Sequence, residues 1–143
     1  MDADISLRGV WKRLQFRFSL WLSARLLPLR LRGRDFSRIL ALAPASSAPR
    51  YGRYPVAYVA RSVRKAARNP ILMRDRRCLR TGLVGFDYLR RCGHKPELHF
   101  AVDEVSLDAD RLSAHCWVTI DGEPVINQRM DGQVTIYVHR SVV

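Results

Sequence analysis

Among the side chains able to do nucleophilic or metal chemistry are three cysteines (Cys78, Cys92, Cys116) and four histidines (His94, His99, His115, His139). Cys78 has the most informative setting. Asp75 is suited to cap a helix N-terminus and Gly93 to stop one, which puts Cys78 at the third helical position. A cysteine in a first helical turn gains as a nucleophile, because unpaired N–H groups and the positive dipole end favour thiolate over thiol. The same N–H groups can receive the oxyanion of a tetrahedral intermediate. Such a thiol needs a base, and His115 follows 37 residues later in a strand pattern. Spacing alone leaves two readings open: a thiol–imidazole pair, or a buried cysteine and an ordinary strand histidine. Three cysteines without a CxxC spacing point to neither a disulfide framework nor a zinc ribbon. No two histidines have convincing metal-ligand spacing, so no metal and no cofactor are expected. Cys92 and Cys116 read as buried structural thiols, and a reducing cytoplasm is the natural setting.

The elements that must position this pair change period along the chain. Residues 5–31 read as a long helix with Trp11, Leu14, Phe18, Trp21, Leu22 and Leu26 at helical spacing; Pro28 disturbs it late and Gly33 ends it. A short helix is expected around Phe36 to Leu42, then a Pro/Ser/Ala loop over 44–49. Pro55 to Asn69 repeats helical spacing, with Val56, Val59, Ala60 and Val63 on one face and Arg61, Arg64 and Lys65 opposite. The Cys78 helix follows, with Leu79, Leu83, Phe86 and Leu89 near one stripe. After Pro96 the period becomes 2. Leu98, Phe100 and Val102 alternate with His99, Ala101 and Asp103, then Ala114, Cys116 and Val118 alternate with His115, Trp117 and Thr119. Asp121-Gly122 signals a hairpin, and Val134, Ile136 and Val138 form a last strand. The expectation is α+β: N-terminal helices, then a Cys-bearing helix packed on an antiparallel sheet.

Composition fits one ordinary domain of 143 residues, 48% hydrophobic and 27% charged. We expect a basic helical N-terminal extension over 1–50 and a catalytic core over 51–143, joined in one compact unit. The net charge of +12 is lopsided: residues 1–77 carry +14 and residues 78–143 carry −2. Twenty-two of the 25 basic residues are Arg, which coding bias alone can produce. The other readings of the basic half are a docking surface for an acidic partner or peptide, or weak membrane-surface adhesion by the Trp11/Trp21 helix. Nucleic-acid binding is disfavoured, since the aromatics sit on helix stripes rather than a strand platform. The acidic Met1-Asp-Ala-Asp opening and the arginines at 25 and 30 argue against a signal peptide or a membrane span, so a cytoplasmic protein is expected.

Several segments in order carry a resemblance: Asp75-Arg-Arg-Cys78-Leu, Arg90-Arg91-Cys92-Gly93, Phe100-Ala-Val102, Ala114-His115-Cys116-Trp117-Val118 and Asp121-Gly122. Over roughly residues 55–140 the chain resembles the lasso peptide leader peptidases, a branch of the transglutaminase-like, papain-related cysteine proteases. The resemblance implies a transglutaminase-like core with Cys78 as nucleophile and His115 as general base and acid. It implies removal of the leader from a lasso precursor peptide, after which an asparagine-synthetase-like lasso cyclase closes the macrolactam. Fused members carry a strand-rich leader-recognition domain ahead of the protease. Residues 1–50 read as helical instead, so a separate leader-recognition protein is the expected partner. An amidase or acyltransferase on the same fold, or a non-catalytic basic binding protein, are the alternatives.

The family pattern also places an aspartate on the strand after the histidine, to orient the imidazole; this chain has Asn127 there. If Ile120-Asp121-Gly122 forms a three-residue loop, Thr119 pairs Glu123 and His115 faces Asn127 on the same side. Asp121 would then lie about 20 Å from His115, at ~3.3 Å per residue. Asn127 is therefore the expected orienter and Asp121 a turn residue, with an aspartate at 127 expected to keep substantial activity. A one-residue register slip would undo this assignment.

Overall fold

A computed structural model describes residues 2–33, 38, 49–68, 77–104 and 114–140. The expected Phe36–Leu42 helix apart from Arg38, loop residues 44–48, the Asp75 cap, and Leu112 and Ser113 lie outside them. Among the described residues, three helices and a four-stranded antiparallel sheet form the expected α+β arrangement: α1 (Asp2–Leu31), α2 (Val56–Ala66), α3 (Arg77–Arg91), β1 (Glu97–Asp103), β2 (Ala114–Ile120), β3 (Glu123–Ile126) and β4 (Gln133–Arg140). The strand order is β3-β2-β1-β4.

α1 runs through Pro28 to Leu31, and Gly33 follows with a left-handed φ of 66°. Only its C-terminal half is anchored. Phe16, Leu20, Ala24, Leu27 and Leu31 recur every three or four residues and are buried in the same core as α2, α3 and the sheet. Residues on both sides of position 50 thus contribute to this core. Tyr88 of α3 fixes the contact, its hydroxyl lying 2.7 Å from Ser19 Oγ and 2.9 Å from Ser23 Oγ. A buried tyrosine needs such partners, because a hydroxyl stripped of water without a hydrogen bond costs on the order of 1–3 kcal/mol.

α3 touches α1, α2 and all of β1, β2 and β3. Ten of its fifteen residues are buried, including Arg80 and Arg90. Arg80 Nη2 donates to the Ala67 carbonyl at 3.2 Å, tying α3 to the end of α2. Gly93 stops the helix as expected: its φ is 80°, and the His94 N–H reaches back to the Leu89 carbonyl at 3.1 Å. The N–H groups of Arg50 and Tyr51 add bonds to the Arg91 carbonyl at 2.9 and 3.0 Å.

Two glycines set how closely α3 sits on the sheet. A Cβ at Gly82 would lie 2.6 Å from Cys116 Sγ, and one at Gly85 would collide with the Ile126 side chain. Glycine inside a helix costs roughly 1 kcal/mol relative to alanine, so two at i and i+3 mark a close approach that the fold requires. Through them the first turn of α3 is pressed against β2.

The β2–β3 hairpin differs from the expected register. Ile120, not Thr119, pairs Glu123, which leaves a two-residue turn of Asp121 (φ 52°) and Gly122 (φ 82°). Positive φ at both central residues is the primed turn whose twist suits a hairpin, and Asp-Gly favours it. A bulge follows: Thr119 pairs Pro124, while Val118 pairs Ile126. Pro124 has no N–H to give to the ladder, and irregular pairing accommodates it. Turn and bulge together shift the residues after β3 by two relative to the expected pairing with β2.

Candidate active site

Cys78 is the second residue of α3 and is half-buried. Its thiol is held well below the ordinary value, at about 5. The largest cause is a hydrogen bond from the neighbouring Cys116 side chain; burial opposes it, and a side-chain bond with His115 and the Cys116 backbone N–H add to the lowering. A thiol so lowered is thiolate at neutral pH, the form that attacks a carbonyl.

Cys116, buried on β2, is therefore more than the structural thiol expected. Its Sγ lies 3.1 Å from the Cys78 carbonyl oxygen, so its single S–H faces two acceptors on the same residue, that carbonyl and the Cys78 sulfur. Its own ionisation is pushed well above the ordinary thiol range by the same contact and by burial. One cysteine of the pair thus carries the charge and the other stays a donor. Cys92, buried at the end of α3, is pushed up to about 11 by burial and remains an inert thiol.

His115 is the second residue of β2, and its Nε2 lies 2.7 Å from the Gln128 backbone carbonyl. A carbonyl oxygen only accepts, so Nε2 carries a hydrogen, and Nδ1 is the nitrogen that can take the thiol's proton. That is the tautomer a base needs: one nitrogen anchored, the other free to exchange a proton with the thiol. Trp117 stacks beside the ring, with centroids 6.1 Å apart and planes 23° apart, and stacks in turn on His99 at 5.2 Å and 9°. Trp117 therefore packs next to the site, and His99 is fixed to Thr119 Oγ1 at 2.9 Å.

Asn127 joins the site but not in the expected role. Its Nδ2 donates to the Cys78 carbonyl at 3.0 Å and to the Cys116 carbonyl at 2.9 Å. The side chain ties the first turn of α3 to β2 and does not bond His115. The orienting acceptor is the backbone carbonyl of the next residue, Gln128. The two-residue turn and the bulge account for the difference, since they move Asn127 off the position opposite His115. Asn127 also has a left-handed φ of 56°, which asparagine tolerates better than most residues and which turns the chain immediately before Gln128. Asp121 is exposed in the hairpin turn, away from the site.

Sequence reasoning missed three contributors: the Cys116 thiol, the Gln128 carbonyl and the glycine pair. Only the glycines left a readable mark, since Gly82 and Gly85 interrupt an otherwise helical pattern facing the sheet. Among the described residues, no group of three or more His, Cys, Asp or Glu side chains could hold a metal ion. No helix of the described residues is long and apolar enough to cross a membrane.

The site and the elements that build it are covered by one family description. The model of the transglutaminase-like superfamily matches residues 19–138, which takes in the anchored half of α1, all of α2 and α3, and the whole sheet. No curated protein and no solved structure matches the chain. A thiol at a helix start beside a strand imidazole suits the acyl chemistry, as cysteine protease or acyltransferase, that this superfamily's fold generally carries. With more than half of its length matched, the chain belongs to the transglutaminase-like superfamily.

Proposed function

We propose that the protein is a cysteine peptidase that removes the leader from a lasso precursor peptide. The observation that carries the chemistry is the Cys78 thiolate bonded to His115, with the imidazole anchored through Nε2 to Gln128. The substrate assignment rests on the resemblance of residues 55–140 to the lasso leader peptidases, strongest around Cys78 and at Ala114-His115-Cys116-Trp117-Val118.

Cys78 Sγ attacks the scissile carbonyl carbon, forming the C–S bond and pushing the π electrons onto oxygen. The N–H groups of a first helical turn are the donors available to the developing oxyanion. The proton that Cys78 gives up is held by His115 Nδ1; collapse of the intermediate breaks the C–N bond, and His115 passes that proton to the nitrogen so that the core peptide leaves as an amine. His115 then takes a proton from water, the hydroxide attacks the thioester, and the leader departs as a carboxylic acid while Cys78 is regenerated. Cys116 donates to the thiolate, and Asn127 holds the Cys78 backbone at β2; both are positioning residues.

A cytoplasmic setting and two partners complete the reading: a separate recognition protein that presents the leader, and an asparagine-synthetase-like cyclase that takes the freed core. The test is cleavage of a lasso precursor by the purified chain, with and without the recognition protein from the same gene neighbourhood. The recognition protein should raise the rate at least tenfold, or about 1.4 kcal/mol of better transition-state access. Efficient cleavage without any partner, unimproved by adding one, would contradict the dependence. Transfer of the acyl group to an added amine, with no free leader acid, would assign the site to an acyltransferase.

A further inference from the structure

α1 is apolar on two opposite faces, and among the described residues only one of them is covered. The buried stripe begins at Phe16. The second stripe, Leu7, Trp11, Leu14, Phe18, Trp21 and Leu22, repeats at three and four residues and lies on the far side of the helix from the core. Its members are open to solvent: Trp11 is 68% exposed, Phe18 61% and Trp21 46%. Every side chain from residue 7 to residue 15 is exposed, so this stretch of α1 adds none to the core formed by the described residues. Such a half-helix gains little stability from the domain, and a row of large apolar side chains in water marks a contact surface.

We propose that this face of α1 docks the protein onto an anionic lipid surface. The charge around the stripe selects the occupant. Arg8 and Lys12 border it on one side and Arg17 on the other, and no acidic residue occurs between Asp4 and Asp35. A second copy laid against it would oppose basic side chains to basic side chains. A bilayer interface needs no shape complement and accepts a straight, convex ridge along its length. From Leu7 to Trp21 the ridge is about 21 Å long, at ~1.5 Å per residue. Trp and Phe settle at headgroup depth while flanking Arg and Lys extend to the phosphates. Trp21 already stacks on Phe18, with centroids 6.1 Å apart, and carries the Arg25 guanidinium 5.5 Å from its ring. Coding bias explains the number of arginines but not the outward placement of the apolar row.

The test is sedimentation of the full chain with sucrose-loaded vesicles, of phosphatidylcholine alone or with one third phosphatidylglycerol. Partition should be at least tenfold stronger onto the anionic vesicles and should fall as salt is added. Trp11→Ser with Phe18→Ser should lower it at least tenfold, and Arg8→Glu with Lys12→Glu should do the same. Both variants should keep the parent Tm within a few degrees, because these side chains are exposed. The proposal is overturned by no binding to either vesicle, by equal binding to both, or by binding that survives both double variants. It is equally overturned if the free chain self-associates and the same substitutions abolish that instead.

Discussion

α1 and α3 are both rich in arginine and apolar residues, yet they relate to the core in opposite ways. α3 has ten of its fifteen residues buried and touches two helices and three strands. Among the described residues, α1 buries one stripe of its C-terminal half and leaves residues 7–15 exposed. A helix held on every side fixes its first turn within a hydrogen bond's tolerance, as a nucleophile requires. A helix held on one side has surface to spare for something outside the chain. On the proposed reading the same residue types serve chemistry in one place and contact in the other, and packing decides which.

The largest effects should come from removing the pair that α3 and β2 bring together. Cys78→Ala and His115→Ala should each lower precursor cleavage by at least about 10³-fold. Far-ultraviolet circular dichroism and Tm should match the parent, because neither side chain is core. Near-normal turnover in either variant would break the assignment of α3 as the catalytic helix.

Asn127 comes next. It donates two hydrogen bonds to carbonyls and accepts none from His115. Asn127→Ala should cost roughly 10–100-fold in cleavage through a loosened Cys78 turn. Asn127→Asp should be no better, since a carboxylate cannot donate to either carbonyl. Rates for both variants, with Tm measured alongside, check this. Strong rescue by aspartate would mean that residue 127 orients the imidazole after all.

The contrast between the helices is sharpest for one substitution made twice. Gly85→Ala drives a methyl into buried Ile126 and should destabilise by about 1–3 kcal/mol. Gly9→Ala, in the exposed stretch of α1 with nothing within 4 Å of its Cβ, should stabilise by roughly 0.5–1 kcal/mol. Thermal melts of the two single variants should therefore move in opposite directions.

Much of this was legible before any coordinates. Period 3.6 marks α1, α2 and α3, period 2 marks the strands, and Asp121-Gly122 marks the hairpin; these are the signals a half-buried element cannot avoid leaving. The Asn127 role was not legible, because two-residue and three-residue turns both suit Asp121-Gly122, and nothing local to residue 127 announces the bulge at Pro124. The Gln128 carbonyl was invisible in principle, since every residue has one. The Cys116 thiol reads as core from alternation alone, and it is core; its second role depends on how closely Gly82 lets α3 approach.

A smaller effect isolates that second role. Cys116→Ala removes the S–H that stabilises the Cys78 thiolate, so the Cys78 titration should move up from about 5. Less thiolate would then be present at mildly acidic pH, and alkylation of Cys78 at pH 6 should slow. Cys116→Ser, which keeps a donor, should fall between the two. An unchanged profile in Cys116→Ala would assign the lowering to His115 and the backbone alone.

On the proposed reading, Cys78 is a thiolate stabilised by its partners Cys116 and His115 on β2. The most direct test is the rate of iodoacetamide alkylation of Cys78 as a function of pH, followed on the full chain by peptide mass spectrometry. A lowered acid is charged above its folded value and loses that charge as pH falls, so the rate should rise through about pH 5 and be flat by neutrality. Buried Cys92 and Cys116 should stay unlabelled over the same range. A Cys78 rate that rises only above about pH 8, as for an ordinary thiol, would contradict the account.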